Sequence, residues 1–212
     1  MKMIKAIIFD MDGVLIDARE WHYEALNKAL NIFGYDIDRY KHLFKYDGLP
    51  TKEKLKMLTK DLGLPVGLHS LINELKQKNT LEIAFYKSKV NFDLQLTLSK
   101  LKKNGYRLAV ASNSIMDTIK LLLTKAGIID YFEVILSNQD VKKPKPNPEI
   151  YINTMKIMNL IPSDCLILED NINGIKAAKS SGGHVLEIKE PEDVAYKLIV
   201  DQINEINNGV LK

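Results

Sequence analysis

The sequence predicts an α/β fold in which a parallel sheet is interrupted, directly after its first strand, by an all-helical insert. Three observations carry this reading. From about residue 90 onward, short apolar runs alternate with helical stretches, the pattern of a parallel sheet with helices on both faces. Residues from about 18 to 88 read as helices without a convincing strand. The first apolar run, Ala6 to Phe9, ends in two carboxylates, Asp10 and Asp12, followed by Gly13. That run is too short for a helix and reads as a buried strand. Ligands of open α/β sheets bind outside the carboxyl ends of the strands, so the two acids stand where chemistry is expected.

The elements follow in order. A helix is expected from about Glu20 to Phe33, where Trp21, Ala25, Leu26, Ala29 and Leu30 recur at helical spacing and Gly34 closes the run. Asp47-Gly48-Leu49-Pro50 is a turn, and Thr51 is the expected N-cap of a helix over Lys54 to Leu62. A further helix spans about Leu68 to Lys87. Phe92 to Asn104 is amphipathic, with Leu94, Leu98 and Leu101 on one face and Gly105 as its stop. Arg107 to Ser112 is a strand, and a helix over Met116 to Ala126 ends at Gly127. Glu133 to Leu136 is a short strand, and Pro148 to Met158 a helix with proline in its favoured first turn. Cys165 to Leu168 is a strand, Ile172 to Ser180 a helix, His184 to Ile188 a strand, and about Glu192 to Asn207 a closing helix.

Composition narrows the classes of function. At 212 residues, 46% hydrophobic and 27% charged, the chain fits one large domain or a domain with an insert. Its net charge of +3 is small and its lysines are dispersed, which speaks against nucleic acid as a partner. No run approaches the length of a membrane span, and the N-terminal apolar stretch is too short for a signal peptide. The single cysteine, Cys165, cannot form an internal disulfide and suits a reducing cytoplasm. Monomer or weak dimer is the expected state. No Gly-x-Gly-x-x-Gly follows a strand, which disfavours dinucleotide binding.

Three other strand ends carry polar groups: Ser112-Asn113-Ser114, the loop Lys143-Pro144-Lys145-Pro146-Asn147-Pro148, and Glu169-Asp170-Asn171. Parallel strands bring these to the edge that holds Asp10 and Asp12. Each suits phosphoryl transfer. A hydroxyl and backbone N–H groups at a helix start hold phosphate oxygens. A lysine held by prolines supplies positive charge where charge develops on phosphorus. Clustered carboxylates call for a shared cation, and oxygen-only ligands suit Mg²⁺.

These motifs, in this order, resemble those of the haloacid dehalogenase (HAD) superfamily, in its branch with a helical cap after the first motif. Phe9-Asp10-Met11-Asp12-Gly13-Val14-Leu15, Ala111-Ser112-Asn113-Ser114, Lys145-Pro146-Asn147-Pro148-Glu149-Ile150-Tyr151 and Leu168-Glu169-Asp170-Asn171-Ile172-Asn173-Gly174-Ile175 match the four motifs. The resemblance implies a Rossmann-like core over residues 1–17 and 89–212, with a helical cap over 18–88. It implies that Asp10 attacks phosphorus to form an aspartyl-phosphate, and that Asp12 protonates the leaving oxygen and then activates water. Ser112, Asn113 and Lys145 would hold the phosphoryl group. Asp10, Asp12 through its carbonyl, Asp170 and Glu169 would bind Mg²⁺. Lys143 competes for the lysine role, but the spacing from Lys145 to Tyr151 is the family's.

The implied activity is an Mg²⁺-dependent phosphatase on a small phosphorylated metabolite, a sugar phosphate by resemblance, with a β-phosphoglucomutase-like phosphomutase as the alternative and a non-catalytic binding relative behind both. Asp12, which the dehalogenase branch lacks, points away from carbon–halogen cleavage. His22 matches a histidine that couples cap closure to proton transfer in the mutases, and Lys52 and Lys78 are candidate cap contacts. Ala18 stands where the mutases have threonine and Thr51 where they have a phosphate-binding arginine, with Lys52 as the one cation expected nearby.

Overall fold

The computed structural model describes residues 4–209. Five parallel strands form one sheet in the order β3-β2-β1-β4-β5, with β1 Ala6–Phe9, β2 Arg107–Ala111, β3 Val134–Leu136, β4 Cys165–Glu169 and β5 His184–Glu187. β1 lies at the centre, hydrogen-bonded on both sides, and all four of its residues are buried. This is why its sequence is continuously apolar rather than alternating. Its side chains still divide by pleat: Ile7 and Phe9 enter one core, Ala6 and Ile8 the other.

The first core packs three helices against the sheet: α5 Phe92–Lys103 through Leu94, Leu98 and Leu101, α6 Met116–Lys125 through Ile119, Leu122 and Leu123, and α9 Tyr196–Asn207 through Ile199, Ile203 and Ile206. On the opposite face, α7 Glu149–Ile157 contributes Ile150, Tyr151 and Met155, and α8 Ile172–Ser180 contributes Ala177 and Ala178. Asn91 caps α5 by accepting from the Leu94 N–H at 3.0 Å.

Between β1 and β2 the cap is helical throughout. It comprises α1 Arg19–Asn31, a single turn α2 Arg39–Lys41 that runs into a π-helical turn over His42–Tyr46, α3 Thr51–Leu62 and α4 His69–Lys87. A separate apolar cluster, with Leu26, Leu30, Leu55, Leu58, Leu64 and Ile72 at its centre, holds these helices together. The turns over residues 39–46 were not expected from the sequence. Asp38 starts them by accepting from the Lys41 N–H at 3.1 Å. Thr51 is not an N-cap: Pro50 takes that position, Thr51 opens the helix, and no side chain caps it. The closing helix starts at Tyr196, after a 3-10 turn over Pro191–Asp193, rather than near Glu192. Among the described residues no helix is long and apolar enough to cross a membrane.

Because Ile8 is fully buried on a strand paired on both sides, truncating it leaves a cavity that the sheet cannot close. Ile8→Ala should lower unfolding stability by about 2–5 kcal/mol, seen as an earlier urea midpoint at unchanged slope. An unshifted midpoint would contradict the packing described.

Candidate active site

The strand register builds the site. Phe9 on β1 is level with Leu168 on β4, so Asp10 and Glu169 leave the sheet side by side, with Asp170 next along. Lys145 reaches them from the loop before α7. Its Nζ donates to Asp10 Oδ1 at 2.7 Å, to Glu169 Oε1 at 2.6 Å and to the Ala111 carbonyl at 2.8 Å. Lys145 is 4% exposed, and its peptide bond to Pro146 is cis. Burial disfavours its ammonium, but the carboxylates of Asp10 and Glu169 outweigh that and hold its pKa above the ordinary lysine value. Lys143 is exposed, and its backbone N–H donates to Glu149. Lys145, not Lys143, is therefore the lysine that meets the acids. Tyr151, on the buried face of α7, donates its hydroxyl to Glu169 Oε1.

Asp10, Glu169 and Asp170 each present an oxygen within 4.8 Å of the others. Burial, with Glu169 and Asp170 nearby, raises the Asp10 pKa well above the ordinary value despite Lys145. Burial and Glu169 push Asp170 up to about 7, with Arg19 opposing weakly from 3.9 Å. Glu169 Oε2 and Asp170 Oδ1 are buried without a hydrogen-bond partner among the described residues. Two glycines keep the space open. A Cβ on Gly174 would lie 2.0 Å from Glu169 Oε1, and one on Gly13, whose φ is +87°, would lie 2.1 Å from Asp170 Oδ2. Unpartnered carboxylate oxygens, all hard donors, fit a divalent cation such as Mg²⁺.

Asp12 lies in a different setting. Its Oδ1 is 2.9 Å from His22 Nε2, and its Oδ2 accepts from Ser114 Oγ at 2.7 Å. Lys76 Nζ is 3.2 Å from His22 Nδ1. An ammonium can only donate, so Nδ1 accepts and Nε2 carries the proton that points at Asp12. Burial works against ionisation of Asp12, but the donors His22 and Ser114 bring its pKa below the ordinary value. Burial and the Lys76 ammonium lower the His22 pKa against the pull of Asp12. With both oxygens engaged, the Asp12 carboxylate lies outside the cation cluster, which leaves only its carbonyl for that role.

Ser112 is fully buried, and its Oγ accepts from the Ser114 N–H at 3.0 Å. The Asn113 side chain is committed to the backbone. It donates to the carbonyls of Gly48 at 3.1 Å and Lys145 at 3.3 Å, and it accepts from the Lys145 N–H at 3.1 Å. The side chain thus ties the cap turn to the lysine loop, and the phosphate-holding role expected of Asn113 falls to its backbone.

Cap and core enclose a cleft of about 470 Å³, lined by Asp10, Asp12, Ser112 and Asp170 from below and by His22, Thr51, Lys52, Lys54 and Lys76 from the cap. Lys52 lies at its exposed edge. Lys78 is exposed and lines none of it; Lys76 occupies the place expected of Lys78. Lys52 is also not the lone cap cation, because Lys54 and Lys76 are deeper. The buried residues Ile72, Asn79, Thr80 and Ile83 set the inner face of α4. Lys76 follows Ile72 by four and precedes Thr80 by four, so helical phase was the signal for it.

Gly174→Ala should push the Glu169 carboxylate out of place and weaken Mg²⁺ binding by about tenfold or more, read by calorimetry on protein whose far-ultraviolet spectrum is unchanged. Unaltered Mg²⁺ affinity would contradict the cluster as the cation site.

Comparison with known proteins agrees with this geometry. Residues 7–188 match the family model described as haloacid dehalogenase-like hydrolase. A phosphorylated carbohydrates phosphatase of Thermotoga maritima is 29% identical over 184 residues, covering 84% of this chain and 82% of the relative. A β-phosphoglucomutase of Bacillus subtilis is 25% identical over 229 residues, covering 98% and 94%. The crystal structure of a β-phosphoglucomutase from Clostridium difficile superposes with a TM-score of 0.84 at 26% identity, covering 96% of this chain and 98% of that one. The chain belongs to the haloacid dehalogenase-like hydrolases, among relatives that are phosphatases and phosphomutases.

Proposed function

We propose that this enzyme is an Mg²⁺-dependent phosphatase of a small phosphorylated metabolite, a sugar phosphate by its relatives, working through an aspartyl-phosphate on Asp10. Residues 18–88 serve as the cap, and residues 1–17 with 89–212 as the catalytic core. The observation that carries the reading is the contrast between the two acids. One Asp10 oxygen lies on the Lys145 ammonium within the carboxylate cluster, whereas both Asp12 oxygens are held by neutral donors outside that cluster. Such a pair separates the nucleophile from the proton carrier.

In this reading Asp10 attacks phosphorus. Lys145 and the backbone at Ser112 and Asn113 steady the phosphoryl oxygens. Asp10, Asp170 and Glu169, with the Asp12 carbonyl, would hold a cation, which would supply positive charge to offset the charge on the phosphoryl group. Asp12 rests ionised, which suits it to take a proton from water in the second step. To protonate a leaving oxygen it must first take up a proton, which Lys76 and His22 can relay. Lys76 Nζ, 3.2 Å from Nδ1, gives its proton to the ring as Nε2, 2.9 Å from Asp12, gives up its own, so that His22 stays neutral and Lys76 becomes the amine. His22 belongs to α1 of the cap, so the acid is armed only when the cap lies over the core.

The phosphomutase reading is kept because the likeness to β-phosphoglucomutases extends over nearly the whole chain. What favours hydrolysis is the cap wall. Facing the cleft from its wall are the lysines Lys52, Lys54 and Lys76, with Thr51 at the expected arginine position, while Arg19 of α1 is engaged with the core through the Lys189 carbonyl at 3.3 Å and lies 3.9 Å from Asp170. Lysine is a mobile point charge without arginine's two-pronged fork and is a poorer clamp for an intermediate that must turn round.

Asp10→Asn should abolish turnover in a folded protein, by more than the ~10²–10⁴-fold typical of a general acid–base group; near-normal phosphate release would defeat the mechanism. Exhaustive chelation should stop turnover and Mg²⁺ restore it, and full activity without cation would refute the metal requirement. With β-glucose 1-phosphate, with and without a trace of the 1,6-bisphosphate, free phosphate should form faster than glucose 6-phosphate. The reverse order would establish the mutase reading.

A further inference from the structure

Lys54 is a charged side chain with no countercharge of its own. It is 5% exposed, lies in the first turn of α3, and lines the cleft. Among the described residues, the one hydrogen-bond partner of its ammonium is His42 Nε2, at 3.4 Å. An ammonium beside a ring nitrogen makes that nitrogen the acceptor, so the His42 proton sits on Nδ1, and that buried atom has no partner among the described residues. Burial and the Lys54 charge hold His42 neutral, at a pKa of about 3. Lys76 stands on the same wall, also paired only with an imidazole, and Lys54 disfavours its charge. Asp47 and Asp12 attract Lys54 from a distance, but neither forms an ion pair with it. Asp12 is taken by His22 and Ser114, and the Asp47 carboxylate faces Asn171 at 3.4 Å.

A buried ammonium group backed by a neutral imidazole, with a second, half-buried one beside it, is costly unless something anionic enters with them. A structural ion pair would place a carboxylate against each, and here the open side of both lysines is the cleft. The start of α3, with Thr51, Lys52, Glu53 and Lys54 along the wall, adds the positive end of a helix.

We propose that Lys54, backed by His42 and flanked by Lys76, forms an anion subsite in the cap, and that the preferred substrate carries a second anionic group, carboxylate or phosphate, besides the phosphoryl group transferred to Asp10. The proposal rests on the phosphatase reading for the placement of that first group. It names the class of substrate: a phosphorylated sugar acid or hydroxy acid, or a bisphosphate, over a neutral sugar monophosphate. Pairing the lysines with the ligand makes discrimination a property of the cap, because a neutral group there leaves the buried Lys54 charge unmet.

The test is equilibrium calorimetry on Mg²⁺-loaded Asp10→Asn protein with two matched ligand pairs. The first is 3-phosphoglycerate against glycerol 3-phosphate, which differ by a carboxylate; the second is fructose 1,6-bisphosphate against fructose 1-phosphate. At least one doubly anionic ligand should bind about tenfold or more tighter than its partner. The pair that shows the preference identifies the second anion. Adding Lys54→Met should collapse that ratio, and Lys76→Met should reduce it. Equal affinities within both pairs in the intact cap would overturn the proposal, as would a preference undiminished in both lysine variants. The intact-cap comparison decides even if Lys54→Met fails to fold. Binding is read without turnover, so its outcome is independent of whether Asp10→Asn abolishes phosphate release.

Discussion

One buried ammonium group holds the site together. Lys145 Nζ joins the ends of three strands at once: Asp10 after β1, Glu169 at the end of β4, and the Ala111 carbonyl of β2. Parallel register forces the carboxylates together, since Phe9 and Leu168 are level. Carboxylates brought together away from water cannot all stay ionised without positive charge. One lysine is not enough, and the raised Asp10 pKa and the Asp170 pKa of about 7 express the remaining deficit. Gly13 and Gly174 give the acids room that any side chain would remove. The folded chain thus holds a cluster one cation short of balance, next to the proposed nucleophile.

The cap carries the opposite imbalance. Lys54 is buried and Lys76 half-buried, each with an imidazole for a partner, and desolvation brings them down to about 8 and about 7. Among the described residues, side-chain polar contacts between cap and core include His22 on Asp12, Arg19 on the Lys189 carbonyl and beside Asp170, the Asn113 amide on the Gly48 carbonyl, and the Asn171 amide on Asp47. Asn113 also holds the backbone of Lys145 at both its N–H and its carbonyl, so the contact that seats the cap also positions the central lysine. A substrate with its phosphoryl group on the core and an anion on the cap would relieve both imbalances together. That is the physical sense of building the site across the seam between cap and core.

Much of this was legible in the chain because the chemistry sits at strand ends. A short apolar run that stops at Asp-x-Asp-Gly places its acids whatever the rest of the fold does, and the order of the motifs supplied the neighbouring strands. The α/β sheet and the helical insert followed from alternation and periodicity. The cap wall was harder to read. Lys76 and Lys78 are two residues apart, which on a helix means nearly opposite faces, and only the phase of Ile72, Thr80 and Ile83 separates them. Lys54 was missed because a lysine is ordinarily a surface residue, and its burial depends on the π-helical turn that delivers His42, a segment with no periodic signature. The tie made by the Asn113 side chain had no local signal, because its amide is held by backbone groups more than thirty residues away in sequence.

The central claim is that Asp10 carries the phosphoryl group. It is tested most directly by trapping that bond in Asp12→Asn protein, which lacks the base that activates water. The substrate should be an aryl phosphate, whose leaving group needs no proton. Rapid acid quench, borohydride reduction and peptide mass analysis convert an aspartyl-phosphate to homoserine at its position. The account predicts homoserine at residue 10, absent when substrate is omitted. Release of the aryl alcohol with Asp10 unmodified, or homoserine at another aspartate, would contradict it.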